Sequence, residues 1–333
     1  MSDVLQNLRP GVYSRYQITG SCVPTALRDC ALVLPGDEAQ LTVVTSPAQI
    51  THMEDFAREC LRLLLEGGVG KVYLAVGATA REALALLGEG DIGAIVCHCN
   101  TPEDYQALKD YVVTASEQMR ECIGFCAAPP AEAKEIAARL CCERVVLCTP
   151  FVAANPEAEA SPLYGACSLA ARVLTAGSPV VNLSGEEFPL LTEAAPLPEP
   201  LVQELLAAGV CVFERVGGRV ELIRAMTTCT AKNGAADDGL RSLNTVLIVD
   251  DVIRHIRSCL KARLKGAGIT SMGSVRDQVA VELAAKRDAG ILTDFAPPVV
   301  RPSKGDPTVC QVDLAFSVAH LVSTIHITAQ IRV

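Results

Sequence analysis

The sequence predicts an open α/β sheet domain followed by a smaller α+β C-terminal domain, with an extended strand arm at each end. Three observations lead to this prediction. Short apolar runs alternate with helical patterns up to about residue 209, a hairpin and a polar loop then change that rhythm, and both ends alternate apolar with polar residues. The predicted limits are 1–20 for the N-terminal arm, 21–209 for the α/β domain, 210–320 for the C-terminal domain and 321–333 for the C-terminal arm.

The strands of the predicted α/β domain are short and almost continuously apolar. Strands have this composition when helices cover both faces of a sheet, because neither face then meets water. Strands that alternate with helices in this way form a largely parallel sheet. The predicted strands are Ala31–Leu34, Leu41–Thr45, Lys71–Val76, Ile92–Cys97, Cys122–Cys126, Val145–Cys148 and Val180–Leu183.

Capping residues mark the helices between these strands. Thr51 with Glu54, and Thr79 with Glu82, match the pattern in which a helix begins with a capping box. Proline follows threonine at Thr101-Pro102, which places it at the first helical position. Further helices are predicted at about 131–140 and 163–176.

The rhythm changes after residue 209. Val210–Val216 and Arg219–Met226 flank Gly217-Gly218, a two-residue turn of the kind that closes a tight hairpin. Two helical patterns follow, one with an apolar stripe and one that Gly290 ends. The stripe consists of Val249, Val252, Ile253, Ile256, Leu260 and Leu264. An extended segment at Ile291–Phe295 and one strand across 312–318 complete the predicted α+β domain.

Both ends of the chain alternate with the period of two that is typical of an extended strand. A bare strand edge is a template for the backbone of another chain. Two interpretations remain open: both ends pair within their own subunit, or they are arms that complete sheets in neighbouring copies. The candidate contact residues are Pro10, Gly11, Val12, Tyr13, Tyr16, Ile18, Ile325, Ile327, Thr328, Ile331 and Val333.

Composition and charge exclude several classes of protein. A hydrophobic content of 50% with 20% charged residues excludes intrinsic disorder. The net charge of −9, without a basic stripe, argues against a nucleic-acid partner. No apolar run reaches the roughly 20 residues that a membrane helix needs, and the N-terminus lacks an apolar secretory segment. We therefore expect a protein that folds in a cytosol and does not insert into a membrane.

The chain contains 15 cysteines, most of them inside apolar segments. In a reducing compartment such residues act as small hydrophobic side chains. The alternative is a metal site that joins Cys97-His98-Cys99 to Cys122 and Cys126. Because the Cys-x-x-Cys pairs of a zinc ribbon are absent, we predict no metal and no cofactor.

Two glycine-rich stretches resemble nucleotide-binding loops, but neither has the right context. Gly88–Gly93 matches G-x-G-x-x-G, yet it follows a helix and opens a strand, the reverse of the dinucleotide-binding order. Gly67–Lys71 lacks the first glycine and the hydroxyl residue of a phosphate loop. No G-x-S-x-G nucleophile motif occurs. No catalytic residue is therefore predicted.

The five histidines add one place where a ligand could bind. His98 lies at the carboxyl end of a predicted parallel strand, where ligand sites of α/β sheets form. His52, His255 and His326 are interpreted as ordinary surface or strand residues. An α/β enzyme that uses the strand ends near Cys97–Asn100 and Thr149-Pro150 therefore stays open as an alternative.

Several segments together resemble the contractile phage tail sheath proteins. The chain opens with RPGVY at Arg9–Tyr13 and closes with STIHITAQIRV, both as in that family. Between them lie four further matching segments, in the family's order. These are Val181-Asn182-Leu183, GRVELIRAMTT at Gly218–Thr228, DVIRHI at Asp251–Ile256 and LAAKRDAGIL at Leu283–Leu292.

The resemblance implies a structural subunit rather than an enzyme. In that family, stacked hexameric rings surround a tail tube, and the C-terminal domain forms their inner layer. The terminal arms add strands to sheets of adjacent subunits, and the α/β domain is subtilisin-like in shape only. The implied partners are identical copies, the tail tube protein, and the baseplate and tail terminator proteins.

The same resemblance implies assembly in a bacterial host cytoplasm, into a phage virion tail or a contractile injection particle such as a tailocin. Contraction would drive the tube through the envelope of a target cell. A cytosolic α/β enzyme and a metal-binding protein built on the cysteine cluster remain the alternatives.

Overall fold

The computed structural model describes residues 28–88, 90–155, 159–232, 235–236, 239–266, 272–302 and 310–319. The strands are β1 (Asp29–Pro35), β2 (Gln40–Val44), β3 (Val72–Gly77), β4 (Ile92–Cys97), β5 (Ile123–Ala127), β6 (Val145–Thr149), β7 (Val152–Ala153), β8 (Glu186–Glu187), β9 (Glu193–Ala194), β10 (Val210–Val216), β11 (Arg219–Leu222), β12 (Ala231–Lys232), β13 (Ala235–Ala236), β14 (Leu292–Phe295), β15 (Val299–Pro302), β16 (Cys310–Asp313) and β17 (Phe316–Val318). The helices are α1 (Asp55–Glu66), α2 (Ala80–Ala85), α3 (Pro102–Glu117), α4 (Pro130–Leu140), α5 (Pro162–Thr175), α6 (Glu199–Ala207), α7 (Leu243–Gly266) and α8 (Met272–Asp288).

Within the part of the chain that the structure describes, nine strands form one large sheet in the order β2-β3-β1-β4-β5-β6-β10-β11-β8. The strands from β3 to β10 in this order are parallel, and β2, β11 and β8 add antiparallel pairs at the two sides. The prediction of an open, largely parallel α/β sheet is confirmed. Strand β4 has the predicted bounds Ile92–Cys97.

Both faces of the sheet are covered, so its inner strands are buried on two sides. Helices α1 and α5 cover one face, where Val96 and Phe125 are buried. Helices α2, α3, α4 and α6 cover the other face, where Ile95 and Leu147 are buried. Successive residues of one strand thus enter different cores, which explains why these strands are apolar throughout.

The large sheet continues past the boundary predicted at residue 209. Strand β10 pairs in parallel with β6, and the hairpin adds β11 to the same sheet. The predicted turn is confirmed: Gly217 and Gly218 have φ values of 58° and 87°. Both lie in the left-handed region that glycine adopts without a steric penalty, as a tight hairpin turn requires.

A smaller region with its own core follows. Helices α7 and α8 pack against each other and against strands β14 to β17. The predicted stripe on α7 is wrong in part, because Ile248, Val252 and Ile256 are buried whereas Val249 is only partly buried. The beginning of α7 instead contributes Leu243 and Val246 to a core of the large sheet, so this helix joins the two regions.

The strand predicted across 312–318 is wrong, because two separate strands form there. Strand β16 pairs with β15, and β17 pairs with β14. In the segment of this chain that pairs with them, Pro297-Pro298 lies between β14 and β15. Proline has no backbone N–H to donate, so the ladder is interrupted at that point.

Two local predictions in the first region are also wrong. Val180–Leu183 is a loop, and the Asn244 side chain donates hydrogen bonds to the carbonyl oxygen of Val181 within it and to that of Pro179 just before it. The capping box predicted at Thr51 does not form. Ser46 and Gln49 make it instead, on a 3₁₀ turn at Pro47–Ile50, and α1 begins later.

The capping prediction for α3 is confirmed, since Thr101 and Asp104 form a capping box with Pro102 at the first turn. None of the described helices combines the length and apolar character that crossing a bilayer requires.

Candidate assembly surfaces

The residues predicted to contact neighbouring subunits lie outside the described residues. They are Pro10, Gly11, Val12, Tyr13, Tyr16, Ile18, Ile325, Ile327, Thr328, Ile331 and Val333. Both interpretations of the chain ends therefore stay predictions. The described part of the chain nevertheless contains surfaces on which added strands could pair.

The C-terminal ribbons β14–β17 and β15–β16 have open backbone edges. Within the described residues each is a sheet of two strands, so each strand has one edge that pairs with no other strand. Leu292, Val300 and Phe316 pack towards the core beside α8, whereas Val299 is 54% exposed. A two-stranded ribbon is marginally stable alone, and further strands or a supporting helix stabilise it.

The large sheet also ends in an edge strand with exposed apolar side chains. Among the described residues strand β2 pairs with β3 alone, and its Leu41 and Val43 are 42% and 43% exposed. An exposed apolar edge strand is a site where another chain can add backbone hydrogen bonds. This edge is therefore a second candidate contact surface.

Ion pairs hold helix α7 against the amino ends of the parallel strands. Arg144, just before β6, pairs with Asp250 through two N–O contacts of 2.6 and 2.8 Å. Arg257 pairs with Glu121, just before β5, through contacts of 2.5 and 3.1 Å. Burial alone would raise the pKa of Glu121, but the hydrogen bonds from Arg257 outweigh it and hold this pKa below its ordinary value.

A cavity of about 360 Å³ lies beside these ion pairs, between α7, the end of α5 and the amino ends of β4 and β5. Arg28 and Arg254 both line it. Burial first, and then the nearby charge of Arg28, lower the pKa of Arg254. The junction between the two regions thus contains charged groups at low solvent exposure, which makes it sensitive to substitution.

The strand end at His98 separates this histidine from the cysteines of the alternative metal site. His98 packs on Phe56 with ring centroids 5.1 Å apart, on the face that α1 covers. Cys97, Cys99 and Cys126 lie in the core of the opposite face. A period of two separates neighbouring residues in this way, so the imidazole and the thiols cannot share an ion.

Burial also changes the protonation of these groups. It raises the pKa of Cys99 and, to about 11, the pKa of Cys122, so both thiols stay protonated at neutral pH. Burial lowers the pKa of His98, whose Nδ1 has no hydrogen-bond partner within the described structure. These residues behave as core side chains, as the hydrophobic interpretation of the cysteines predicts.

The other positions considered for an enzyme or a nucleotide-binding loop also have roles in the packing and the secondary structure. Thr149 is fully buried, and its hydroxyl donates to the carbonyl of Ala128 at 2.9 Å. Gly67 caps the end of α1, and Gly93 lies inside β4. The glycine-rich stretches therefore follow helices and precede or enter strands, the order that the sequence predicts.

Sequence reasoning missed one cluster of side chains whose ligand atoms lie close enough together to hold a metal ion. His255 and Cys259 of α7 lie beside Glu282 of α8, and their ligand atoms are all within 4.8 Å of one another. Among the described residues this is the one group of three or more such side chains. The His-x-x-x-Cys spacing on one helix face was the available signal, but the glutamate comes from another helix.

Comparisons with known proteins give a consistent result at the level of fold. No family model matches the sequence, and no curated protein matches it. Solved structures do match. A chain in the baseplate of the anti-feeding prophage superposes with a TM-score of 0.73 at 14% identity, over 98% of this chain and 99% of that one.

Two further matches are sheath proteins. The sheath of the PVC extracellular contractile injection system, in its contracted state, has a TM-score of 0.72 at 14% identity, over 97% of both chains. The sheath tail protein from Listeria innocua has a TM-score of 0.69 at 12% identity, over 88% of this chain and 92% of that one. This chain has the fold of the contractile tail sheath proteins, as the sequence resemblance implies.

Proposed function

We propose that this protein is the structural subunit of a contractile tail sheath. It would polymerise as stacked hexameric rings around a tail tube and contract to drive the tube through the envelope of a target cell. The observation that carries this proposal is the likeness to sheath proteins along nearly the whole chain, including 97% of the PVC sheath. The order of the sequence segments, from RPGVY to the final strand pattern, supports it independently.

Strand exchange between subunits is the proposed means of polymerisation. Residues 10–20 and 321–333 would act as arms that add strands to the sheets of neighbouring copies. Support comes from the two ribbons of the C-terminal region, each of which has open backbone edges within the described residues, and from β17, which ends at Val318, shortly before residue 321. An added strand contributes backbone hydrogen bonds that do not depend on particular side chains, so pairing would tolerate sliding between subunits.

Contraction would change the contacts between the rigid α/β bodies while the arms stay paired. The large sheet is covered on both faces and packs as one unit, so it is suited to move as a rigid body. The two arrangements of the assembly would differ in free energy, and a trigger at one end would shift the population towards the contracted state.

The partners follow from this role. They are identical copies in each ring, the tail tube protein inside the rings, and the baseplate and tail terminator proteins at the two ends. Assembly would take place in the cytoplasm of a bacterial host, and the product would be a phage tail or a contractile injection particle. The proposal includes no catalytic step.

Electron microscopy of the purified full chain tests the proposal. We expect tubes or stacked rings in negative stain, and we expect deletion of residues 321–333 or of residues 1–20 to abolish them. Val281→Ser is a matched control, because it changes an exposed apolar residue, 62% accessible, on α8 instead of an arm. Circular dichroism and thermal melting of each variant would establish that the folded body is intact.

Two outcomes would contradict the proposal. A full chain that remains a small discrete oligomer at high concentration would exclude a self-assembling sheath. If both deletion variants still formed tubes, polymerisation would not depend on the arms, and strand exchange would be wrong.

A further inference from the structure

Helices α7 and α8 run antiparallel and are joined by side-chain contacts at regular intervals. Asp251 accepts a hydrogen bond from Lys286 at 2.6 Å. One helical turn further along α7, His255 Nε2 lies 2.8 Å from Glu282 Oε2. One turn further again, Cys259 Sγ lies 3.7 Å from the same His255 nitrogen. Residues four apart on α7 share one face, so these groups form a line along the helix contact.

We propose that His255, Cys259 and Glu282 form a binding site for a Zn²⁺ ion. Zinc bonds are about 2.0–2.2 Å to nitrogen or oxygen and about 2.3 Å to sulfur. In a tetrahedral site these lengths place neighbouring ligand atoms roughly 3.3–3.8 Å apart. The Cys259–His255 distance of 3.7 Å already fits that range. The distance of 2.8 Å between His255 Nε2 and Glu282 Oε2 reaches that range when these two side chains move apart by somewhat less than an ångström.

The chemistry of the three side chains favours zinc over the alkaline-earth ions. A thiolate and an imidazole are ligands for Zn²⁺ and related transition metals, whereas Mg²⁺ and Ca²⁺ prefer oxygen alone. A Cys259 thiolate and the Glu282 carboxylate together neutralise the two charges of the ion. Binding releases the thiol proton to solvent, and His255 binds as the neutral imidazole.

The surroundings orient one ligand and leave one position open. Gln278 donates a hydrogen bond from Nε2 to Glu282 Oε1, which leaves Oε2 turned towards His255. Outer hydrogen bonds of this kind hold a ligand in place and strengthen metal binding. Each of the three ligands is partly exposed, so a water molecule would take the fourth tetrahedral position.

The site would tie together the two helices that form the smaller core. Val252 and Ile256 on α7 pack with Val279 and Leu283 on α8, and the proposed ligands flank this contact. An ion that binds only the folded pair raises the melting temperature as its concentration rises. The proposal does not depend on the sheath role, since it concerns one subunit.

The test uses the purified full chain, from which a chelator has removed any bound metal and from which the chelator has then been removed. Titration calorimetry with zinc chloride should show one ion bound per chain. Each of the variants H255A, C259S and E282Q should weaken binding at least tenfold. E282Q replaces the carboxylate by an amide of nearly the same size. A loss of zinc affinity in this variant can therefore be assigned to the lost charge and not to misfolding. C310S is the matched control, because it removes an exposed thiol outside the cluster and should leave the affinity unchanged.

A second readout separates this site from binding by the other thiols. Co²⁺ should give a thiolate-to-metal charge-transfer absorption that C259S abolishes and C310S retains. The absence of stoichiometric Zn²⁺ binding would overturn the proposal. So would binding that all three ligand variants leave intact, since another part of the chain would then hold the ion.

Discussion

Arg144 and Asp250 form a bidentate ion pair that joins the large sheet to helix α7, with N–O distances of 2.6 and 2.8 Å. Their side chains are only 13% and 12% exposed, so both charges lie largely out of water. They come from positions 106 residues apart, one before β6 and one within α7. The pair shows how the smaller C-terminal region is held to the α/β body.

Loss of one partner in this pair should destabilise the protein strongly. Arg144→Met leaves the carboxylate of Asp250 buried without its guanidinium, and a broken buried pair costs about 3–5 kcal/mol. The double variant Arg144→Met with Asp250→Leu removes both charges, so we expect it to recover much of that loss. Urea unfolding measures the free energy of unfolding of the single and the double variant. Arg139→Met, in an exposed pair with Glu135, is the control and should change stability by under about 1 kcal/mol. Equal losses in the single and double variants would contradict this account.

Glu121 should make stability depend on acid pH. Its folded pKa is depressed below the ordinary 4.5, so its ion pair with Arg257 stabilises the fold above that pH. The stabilisation from this ion pair is lost as the pH falls from 4.5 through the pKa that Glu121 has in the folded protein. The gap in unfolding free energy between wild type and Glu121→Gln should therefore be widest near neutrality and narrow on acidification. Glu135→Gln, on an exposed turn of α4, should show a small gap at every pH. A Glu121→Gln gap that stays constant down to pH 3 would show that another group is responsible.

Gly165 lies where helix α5 meets an aromatic side chain of the sheet. A Cβ atom there would lie 2.7 Å from Phe213 Cε2. The ring of Phe213 packs edge-on against the ring of Phe188. Gly165→Ala should therefore cost about 1–3 kcal/mol through overpacking, in spite of alanine's better helix propensity. Gly177→Ala is the matched control, because, apart from its chain neighbours, no atom of the described residues lies within 4 Å of its added Cβ. Differential scanning calorimetry compares the two, and similar melting temperatures would disprove the close contact.

Asn244 should be important for the loop that precedes β8. Its side-chain amide donates to the carbonyls of Val181 at 2.6 Å and Pro179 at 3.2 Å, and the residue is 5% exposed. Asn244→Ala leaves both carbonyls without this donor and should cost about 1–3 kcal/mol. Asn182→Ala, in the same loop, removes one exposed hydrogen bond that Asn182 Oδ1 accepts from the Ser184 N–H, and should change stability by about 1 kcal/mol or less. Chemical denaturation would show the difference, and equal effects would mean that the loop does not depend on Asn244.

Much of the α/β region was predictable because its signals are local. Strand β4 and the start of α3 follow from an apolar run and from the Thr101-Pro102 cap, each of which lies within a few residues. Val180–Leu183 has the same apolar character but forms a loop, in which the carbonyl oxygen of Val181 pairs with the side chain of Asn244, distant in sequence, and not with a strand. Apolar composition reports burial, and burial alone does not distinguish a strand from a packed loop.

The candidate sites show the same limit. The grouping of Cys97-His98-Cys99 was suggested by adjacency in sequence, yet the strand period places His98 on the opposite face from the two thiols. The spacing of His255 and Cys259 on one helix was visible in the sequence, but the third member, Glu282, joins them only through the packing of α7 on α8. The arms remain sequence-based predictions.

The sequence by itself determined the alternation of strands and helices from β3 to β6 and the glycine turn between β10 and β11. Each of these depends on side-chain period or backbone geometry over a few residues. Only the tertiary structure decided the strand order of the large sheet, the inclusion of β10 and β11 in it and the ion pairs that hold α7. Those features depend on which distant segments bury one another's surfaces, and a local pattern contains no information about its partner.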